Sequence, residues 1–393
     1  MIVCLHLPRF QLVVAAGGPE ELAGRALAIA PTTGAQRVGE VSGTAQAKGV
    51  TAGMGLGEAL ARCPELVLVP EDPVGVTQTW EKTVRALEGI GALVEASQPG
   101  LAYFDADGLR SIHRDREGVI AAARRAVARP SRIGVAATRF CALAASLQAR
   151  SRRACIIDDR DVRRYLAAQP VSLLAYRDRT APLVPALGRL GISTLGQLAA
   201  LGASAVTDRF GNAGTLARRL ALGHDEPLRT RRVEDRLEES MALGDSSSGE
   251  ALSRTLGVLV DRLLSRPERR GRTIRAVVLS ARLVEHGGTW CERVVFREAL
   301  ANPLRIRLAL TPKLTLLPAP ARALTLAVTA MGAASGDQTT LLDGERTARL
   351  ERLRDAVAQV RTIAGPHAVL RVLPVSPAAR VPERRYTYTP FLP

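Results

Sequence analysis

Lysine is almost missing from this chain. Of 54 basic residues only Lys48, Lys82 and Lys313 are lysines, so any electrostatic argument has to be made from arginine. Aromatic residues make up only 3% of the sequence against 47% hydrophobic overall, which leaves Ala, Leu and Val to build the core. No apolar run approaches the roughly 18 residues that a membrane-crossing helix needs. The opening "MIVCLHLPRF" has neither the charged n-region nor the small-residue cleavage site of a signal peptide. Cys4, Cys63, Cys141, Cys155 and Cys291 are scattered, odd in number and without a CxxC pair. That pattern argues against a disulfide framework and against zinc, and fits reduced thiols in a cytoplasmic protein. The five histidines stand apart from one another, and no GxSxG nucleophile motif occurs. "GMGLG" at 53–57 lacks the GxGxxG spacing after a strand and the closing Lys-Ser/Thr of a phosphate loop, and reads as a helix entry. The residues by themselves supply no catalytic constellation.

Positive charge is present, and it is uneven. Residues 1–110 hold 8 basic and 12 acidic side chains, so the +16 of the whole chain arises beyond them. A basic half joined to a mildly acidic half is the footprint of nucleic-acid binding. At 393 residues the chain can form two to four domains.

Periodicity predicts a short buried strand over 1–10, a helix near 56–63, a strand at 66–69, helices over 76–95 and 116–128, and strands at 101–105 and 131–137. This order suits an α/β or α+β module around a central sheet. In "ALGRLGISTLGQLAALG" the turn LGIST separates two apolar helices; Thr194 and Gln197 form a capping box, and Gly202 stands where a helix-ending glycine belongs. The charged 229–239 reads as a linker. Beyond it come a helix (248–265) and four strand-like segments, "TIRAVVLSARL", "CERVVFREA", "LRIRLAL" and "ALTLAVTAM". Alternation puts Arg293 with Arg297, and Arg305 with Arg307, on a sheet face. Arg272 and Arg275 complete this candidate DNA-binding set; the bland alternative is a solvated charged face. A tail helix is expected at about 345–363.

Four segments, "GTAQAKGVTAGMGLGEALARCPELVLVP", "AYFDADGL", "RIGVAATRFCALAAS" and "LGRLGISTLGQLAALGASAVTDRFGNAGTLARRLALG", together resemble the Y-family (translesion) DNA polymerases in order and spacing. The resemblance implies an α+β right hand: palm 1–10 and 73–157, fingers 11–72, a helical thumb 158–228, linker 229–239, an α/β little finger 240–332, and a tail 333–393. Active members hold two Mg²⁺ on palm carboxylates. Here the family's first metal-binding pair falls on His6 and Pro8 (Leu7 and Arg9 if the register slips by one) and the second on Gly100 and Leu101. The triphosphate contacts fall on Gly43, Gln46 and Leu143. Asp105 survives at a structural position. The expectation drawn from these positions is a pseudoenzyme without cofactor or metal, resembling the ImuB-like accessory proteins. Such a scaffold binds primer–template DNA, the sliding β clamp, an error-prone C-family DNA polymerase and a RecA-like accessory protein, with no membrane partner, at the nucleoid. Gln338, Leu341 and Leu342 in "SGDQTTLLDGE" fit a clamp-binding Gln-x-x-Leu-Leu peptide. The family's glycine-bearing thumb turn falls on Asp178, Arg179 and Thr180, which weakens the expectation of thumb contact with DNA. The alternative left open is an active polymerase with relocated ligands, drawing on Asp105 and Asp107.

Overall fold

The computed structural model describes residues 1–32, 36–232, 237–247, 249–284 and 288–334, with scattered residues from 349 to 391. Two units emerge, one covering Met1–Glu234 and the other the bulk of the chain from Asp235 onward.

In the first unit, β1 (Ile2–His6) is the middle strand of a five-stranded sheet. The others are β4 (Val94–Gln98), β5 (Leu101–Asp105), β6 (Arg132–Ala136) and β7 (Cys155–Ile156), in the order β4-β5-β1-β6-β7. β1 runs antiparallel to both neighbours, with Ile2 opposite Asp105 and Ala136, and His6 opposite Leu101 and Arg132. Alternation sorts its side chains onto two faces. Val3 and Leu5 meet Trp80, Val84, Leu87 and Ile120 from the helices Pro73–Gly89 and Arg116–Val127. Cys4 faces the opposite core, formed by the helix Arg139–Gln148 and by Leu166, Leu174, Leu195 and Leu220 of the following helical region. The three helices that pack on this sheet start on side-chain caps: Gly75 N–H donates to Asp72, Gly118 N–H to Asp115 and Cys141 N–H to Thr138. Gly134 lets the last of them lie directly on β6, since a Cβ there would come within 2.1 Å of the Ala142 carbonyl oxygen.

Between β1 and the helix at 73, β2 (Leu27–Ile29) and β3 (Val67–Val69) pair in parallel beside the helices Gly43–Ala47 and Leu56–Arg62. They enclose a small core of Ala28, Val41, Ala45, Ala59 and Leu66. Further on, the Thr194–Gln197 capping box forms as read. Gly202 does not end that helix; at φ −57° it is the N-cap of the next one, Ala203–Ala221, and Leu201 closes the first.

A buried ionic cluster fastens the helical region to the sheet. Arg139 donates to Glu95 of β4 (2.6 Å) and to Asp225 (3.2 Å), and Arg177 donates to Asp225 (3.1 Å). The side chains of Arg139, Glu95 and Asp225 are 6%, 11% and 5% exposed. Backbone N–H groups complete both acids: Phe140 donates to Asp225 (2.9 Å) and Arg229 to Glu95 (2.6 Å).

The second unit holds β8 (Glu238–Ser247), β9 (Arg272–Leu283), β10 (Thr289–Leu300) and β11 (Ala321–Ala334) in the order β10-β9-β11-β8. The helices Glu250–Ser265 and Pro303–Leu314 cover one face through Leu256, Leu263, Ile306 and Leu310. Two expectations are corrected here. The linker expected to reach 239 already contains the start of β8. Residues 303–314 are helix rather than strand: Asn302 accepts from the Leu304 and Arg305 N–H groups, Pro303 occupies the first turn, and Ile306, Leu310 and Leu314 repeat every fourth residue. Arg305 and Arg307 therefore leave the sheet face, point in different directions around a helix, and pair with Glu298 and Asp261.

Replacing Arg139 by Ala strands two buried carboxylates, and urea unfolding should show a loss of about 3–5 kcal/mol. Arg139→Lys should keep only part of that stability, because its single ammonium nitrogen replaces the two separate nitrogens with which Arg139 reaches Glu95 and Asp225. A loss under about 1 kcal/mol for Arg139→Ala would remove the cluster from the role given to it here.

Candidate functional site

Beyond the His6 end of β1 lies an open cleft of about 520 Å³, lined by His6, Pro8, Arg9, Glu40, Gln46, Gly100, Leu101 and Arg132 among others. The structure thus brings together His6, Pro8, Gly100, Leu101 and Gln46. Gly43 sits at the start of the adjacent short helix. Leu143 stands elsewhere, fully buried in the core beneath the helix Arg139–Gln148.

Backbone geometry decides what the cleft can carry. β4 turns into β5 through Pro99 and Gly100, where Gly100 has φ 87° and its carbonyl accepts from Leu7 N–H at 2.8 Å. A Cβ on Gly100 would meet the Phe10 Cβ at 2.9 Å and the Leu7 carbonyl oxygen at 3.1 Å. The position therefore requires glycine on both conformational and steric grounds. Arg9 takes a left-handed φ of 53°, donating to the Val41 carbonyl (2.8 Å) and the Gln46 side chain (2.7 Å). Phe10 then enters a helix and meets Trp80 edge to face at 5.6 Å.

Among the residues lining the cleft, one is a carboxylate: Glu40. It accepts from Leu12 N–H at 2.9 Å. Burial pushes its pKa up, against the opposing pull of the Leu12 and Gln11 amides and of Arg9. Burial, aided by Arg132, pushes the His6 imidazole down to about 4, so it is neutral near pH 7. The two-magnesium pair of the family calls for several converging oxyanions. One carboxylate among two guanidiniums and a neutral imidazole does not fit it. Among the described residues no cluster of three or more His, Cys, Asp or Glu could hold a metal. Asp105 and Asp107 do not supply the missing acids. Asp105 lies opposite Ile2, some 13 Å along the strand from His6, and both accept from the Met1 amine.

In the second unit, Val294 and Phe296 of β10 pack inward, so Arg293 and Arg297 project from the face opposite the two helices, where both are exposed. Arg275 of β9 is exposed and donates to the Arg297 carbonyl at 2.7 Å; Arg272, at the strand's start, donates to the Gly332 carbonyl at 3.2 Å. Arg282, between the inward Ala281 and Leu283, shares that face. Sequence reading missed Arg282, although its alternation within "VLSARL" would have found it. It also missed Glu40 and Arg132, for which no local signal existed. Gln338, Leu341 and Leu342 lie outside the described residues, as does most of the expected tail helix. At the turn over residues 178–180, Thr180 is buried and donates to the Leu174 carbonyl at 2.8 Å.

Residues 6–147 match the family model described as impB/mucB/samB, and this stretch contains every cleft residue named above. The chain is 28% identical over 272 residues to the DNA polymerase IV of Ralstonia nicotianae, covering 64% of this chain and 72% of that protein. DNA polymerase IV 1 of Mesorhizobium japonicum is 27% identical over 247 residues, covering 60% of this chain and 55% of its own length. DNA polymerase IV of Dehalococcoides mccartyi is 23% identical over 330 residues, covering 80% and 81%. A solved structure described as a Dbh ternary complex with partially disordered substrates matches with TM-score 0.48 at 15% identity, over 84% of this chain and 98% of that one. These relatives bear the name of an enzyme. They overturn the expectation that this chain is not one. That expectation considered only the positions aligned with the family's motifs, whereas folding brings Glu40, from a different segment, into the same cleft.

The neutral state of His6 gives a signed pH effect. Its pKa is near 6.5 when unfolded and about 4 when folded. Stability from this group is complete above pH 6.5 and falls as pH drops toward 4, by roughly 3 kcal/mol in all. Ring-proton NMR should place the His6 midpoint well below 5, and His6→Gln should flatten that part of the stability profile. A midpoint above 6 would contradict the burial account.

Proposed function

We propose, for a chain whose fold is that of the Y-family DNA polymerases, that it grips primer–template DNA in translesion synthesis through the arginine face of residues 240–332, its little finger. The proposed division is palm 1–10 and 73–157, fingers 11–72, thumb 158–228, linker 229–239 and tail 333–393. The observation that carries the reading is the side of the second unit's sheet that no helix covers among the described residues. Its opposite side is filled by two helices, while Arg275, Arg282, Arg293 and Arg297 stand on this one. Guanidiniums spaced along adjacent strands suit backbone phosphates, which fix register without reading sequence. Binding to duplex DNA should be sequence-independent, with log K falling by about 0.9 against log salt per phosphate neutralised. Replacing Arg275, Arg293 and Arg297 by Gln should weaken it and flatten that slope. A slope near zero in the unmodified protein would sink the electrostatic grip.

Nucleotide incorporation is the activity carried by the relatives' name, and Glu40 is the acid proposed to serve it. Its raised pKa suits a carboxylate that takes a proton from a primer hydroxyl. Primer extension on undamaged and abasic templates should be lost in Glu40→Gln while DNA binding persists. Purified protein that binds DNA and extends nothing in Mg²⁺ or Mn²⁺ would overturn incorporation; extension unchanged in Glu40→Gln would clear Glu40 alone.

The tail is proposed to tether the chain to the sliding clamp through Gln338, Leu341 and Leu342, an amide for the rim of a pocket and two apolar side chains to fill it. The same tether would bring an error-prone C-family DNA polymerase and a RecA-like accessory protein to the primer end. Alanine at all three positions should abolish clamp binding and leave DNA binding intact. Clamp binding that survives the triple substitution would exclude this peptide as the anchor.

A further inference from the structure

The first unit holds a second cavity, of about 260 Å³, that neither the DNA grip nor the cleft chemistry uses. It shares Leu7, Pro8, Arg9, Phe10 and Arg132 with the cleft, but neither His6 nor Glu40 lines it. Its floor is apolar, made by Leu7, Phe10, Val13, Pro19, Leu22 and Pro130. Leu7 and Phe10 are buried, and the helix Phe10–Ala15 carries Val13 on the following turn. The short helical turn Glu20–Leu22 closes one side, and the residues leading into β6 close the other. A mostly apolar cavity with a few fixed polar groups is the form that small-molecule sites take.

The polar groups identify the ligand's chemistry. Ser131 lines the cavity and is 2% exposed, yet its hydroxyl has no hydrogen-bond partner among the described residues. A buried hydroxyl left in that state costs free energy until something meets it. Arg132 donates through Nη1 to the Leu147 carbonyl at 3.1 Å. That leaves Nε and Nη2, the paired edge of the guanidinium, which takes both oxygens of a carboxylate at once. Arg9 and Arg129 add positive charge, and no Asp or Glu is among the lining residues. Glu21, next to Leu22, is held by Arg25 at 2.9 Å. Residues 118–157 contain eight arginines and no acid, so the field over the cavity is positive. A cation would be repelled there. A sugar-like molecule would set polar groups against the apolar floor, and an uncharged apolar body would leave the Arg132 edge unused. An anionic head on an apolar body satisfies floor and rim together.

We propose that this cavity binds a small organic carboxylate with an apolar body, its head on the Nε–Nη2 edge of Arg132 and the Ser131 hydroxyl, its body on Phe10, Val13 and Leu22. The volume lies just below the range of about 300–1,000 Å³ usual for ligand pockets, which suits one ring and a short chain. The site does not rest on the polymerase reading; either can fail alone. The test is calorimetric titration of the full chain with phenylbutyrate, with phenylbutanol (the same body without the charge) and with acetate (the charge without the body). Phenylbutyrate should bind one to a chain, and the other two at least about tenfold more weakly. Arg132→Gln should cost phenylbutyrate about tenfold and leave phenylbutanol unchanged. Val13→Trp fills the cavity and should remove the binding of both. Absence of phenylbutyrate binding overturns the proposal. Equal affinity for phenylbutanol also overturns it, marking a plain apolar pocket, and equal affinity for acetate marks an unspecific anion site. Phenylbutyrate binding that survives Val13→Trp places the ligand elsewhere and overturns it too. If Val13→Trp shows no cooperative thermal unfolding, the contrast between the two probes on Arg132→Gln decides alone.

Discussion

Arg139 is the residue on which the first unit depends. It begins the helix that lies against β1 and β6, and its guanidinium reaches acids from both directions along the chain, Glu95 before it and Asp225 after it. A buried guanidinium is costly to desolvate, and forked hydrogen bonds to two carboxylates offset that cost. Removing any one partner leaves the others stranded, so the cluster behaves as a unit. Asp225 also holds Arg177, whose guanidinium lies 5.7 Å from the Tyr103 ring of β5. The helical region is thereby pinned to the strands that lead into the cleft.

The cleft follows from that pinning. β4 carries Glu95 into the cluster and, four residues later, turns through Pro99 and Gly100. The turn is close enough to Leu7 and Phe10 that no side chain fits at Gly100. Cationic Arg9, neutral His6 and half-buried Glu40 then set the chemistry. It is a cleft suited to one protonatable acid beside fixed positive charge.

Much of this was legible in the sequence because it is local. The Thr194–Gln197 box sits within four residues, and alternation in "CERVVFREA" correctly sends Arg293 and Arg297 outward. What failed was also local, but ambiguous. "LRIRLAL" alternates like a strand, yet Asn302 and Pro303 just before it are helix-start signals, and the four-residue repeat from Ile306 decides the matter. β8 was hidden because "EESMALGDSS" has little apolar alternation to read. The cluster and the cleft acid were beyond any window. Arg139 is 86 positions from Asp225 and 44 from Glu95, and Glu40 meets Arg9 only because a separate segment folds beside the end of β1.

The outward arginines of β10 have a second consequence, for solubility. In the sheet order β10 is an end strand, twelve residues long, so one row of its backbone groups has no neighbouring strand among the described residues. Such an edge is a template for pairing with another molecule. Its middle, Val294–Phe296, is apolar, and Val295 is 59% exposed. Arg293 and Arg297 bracket that stretch as gatekeepers, repelling a second copy of the same strand. Like charge on two copies of this strand therefore opposes their pairing edge to edge.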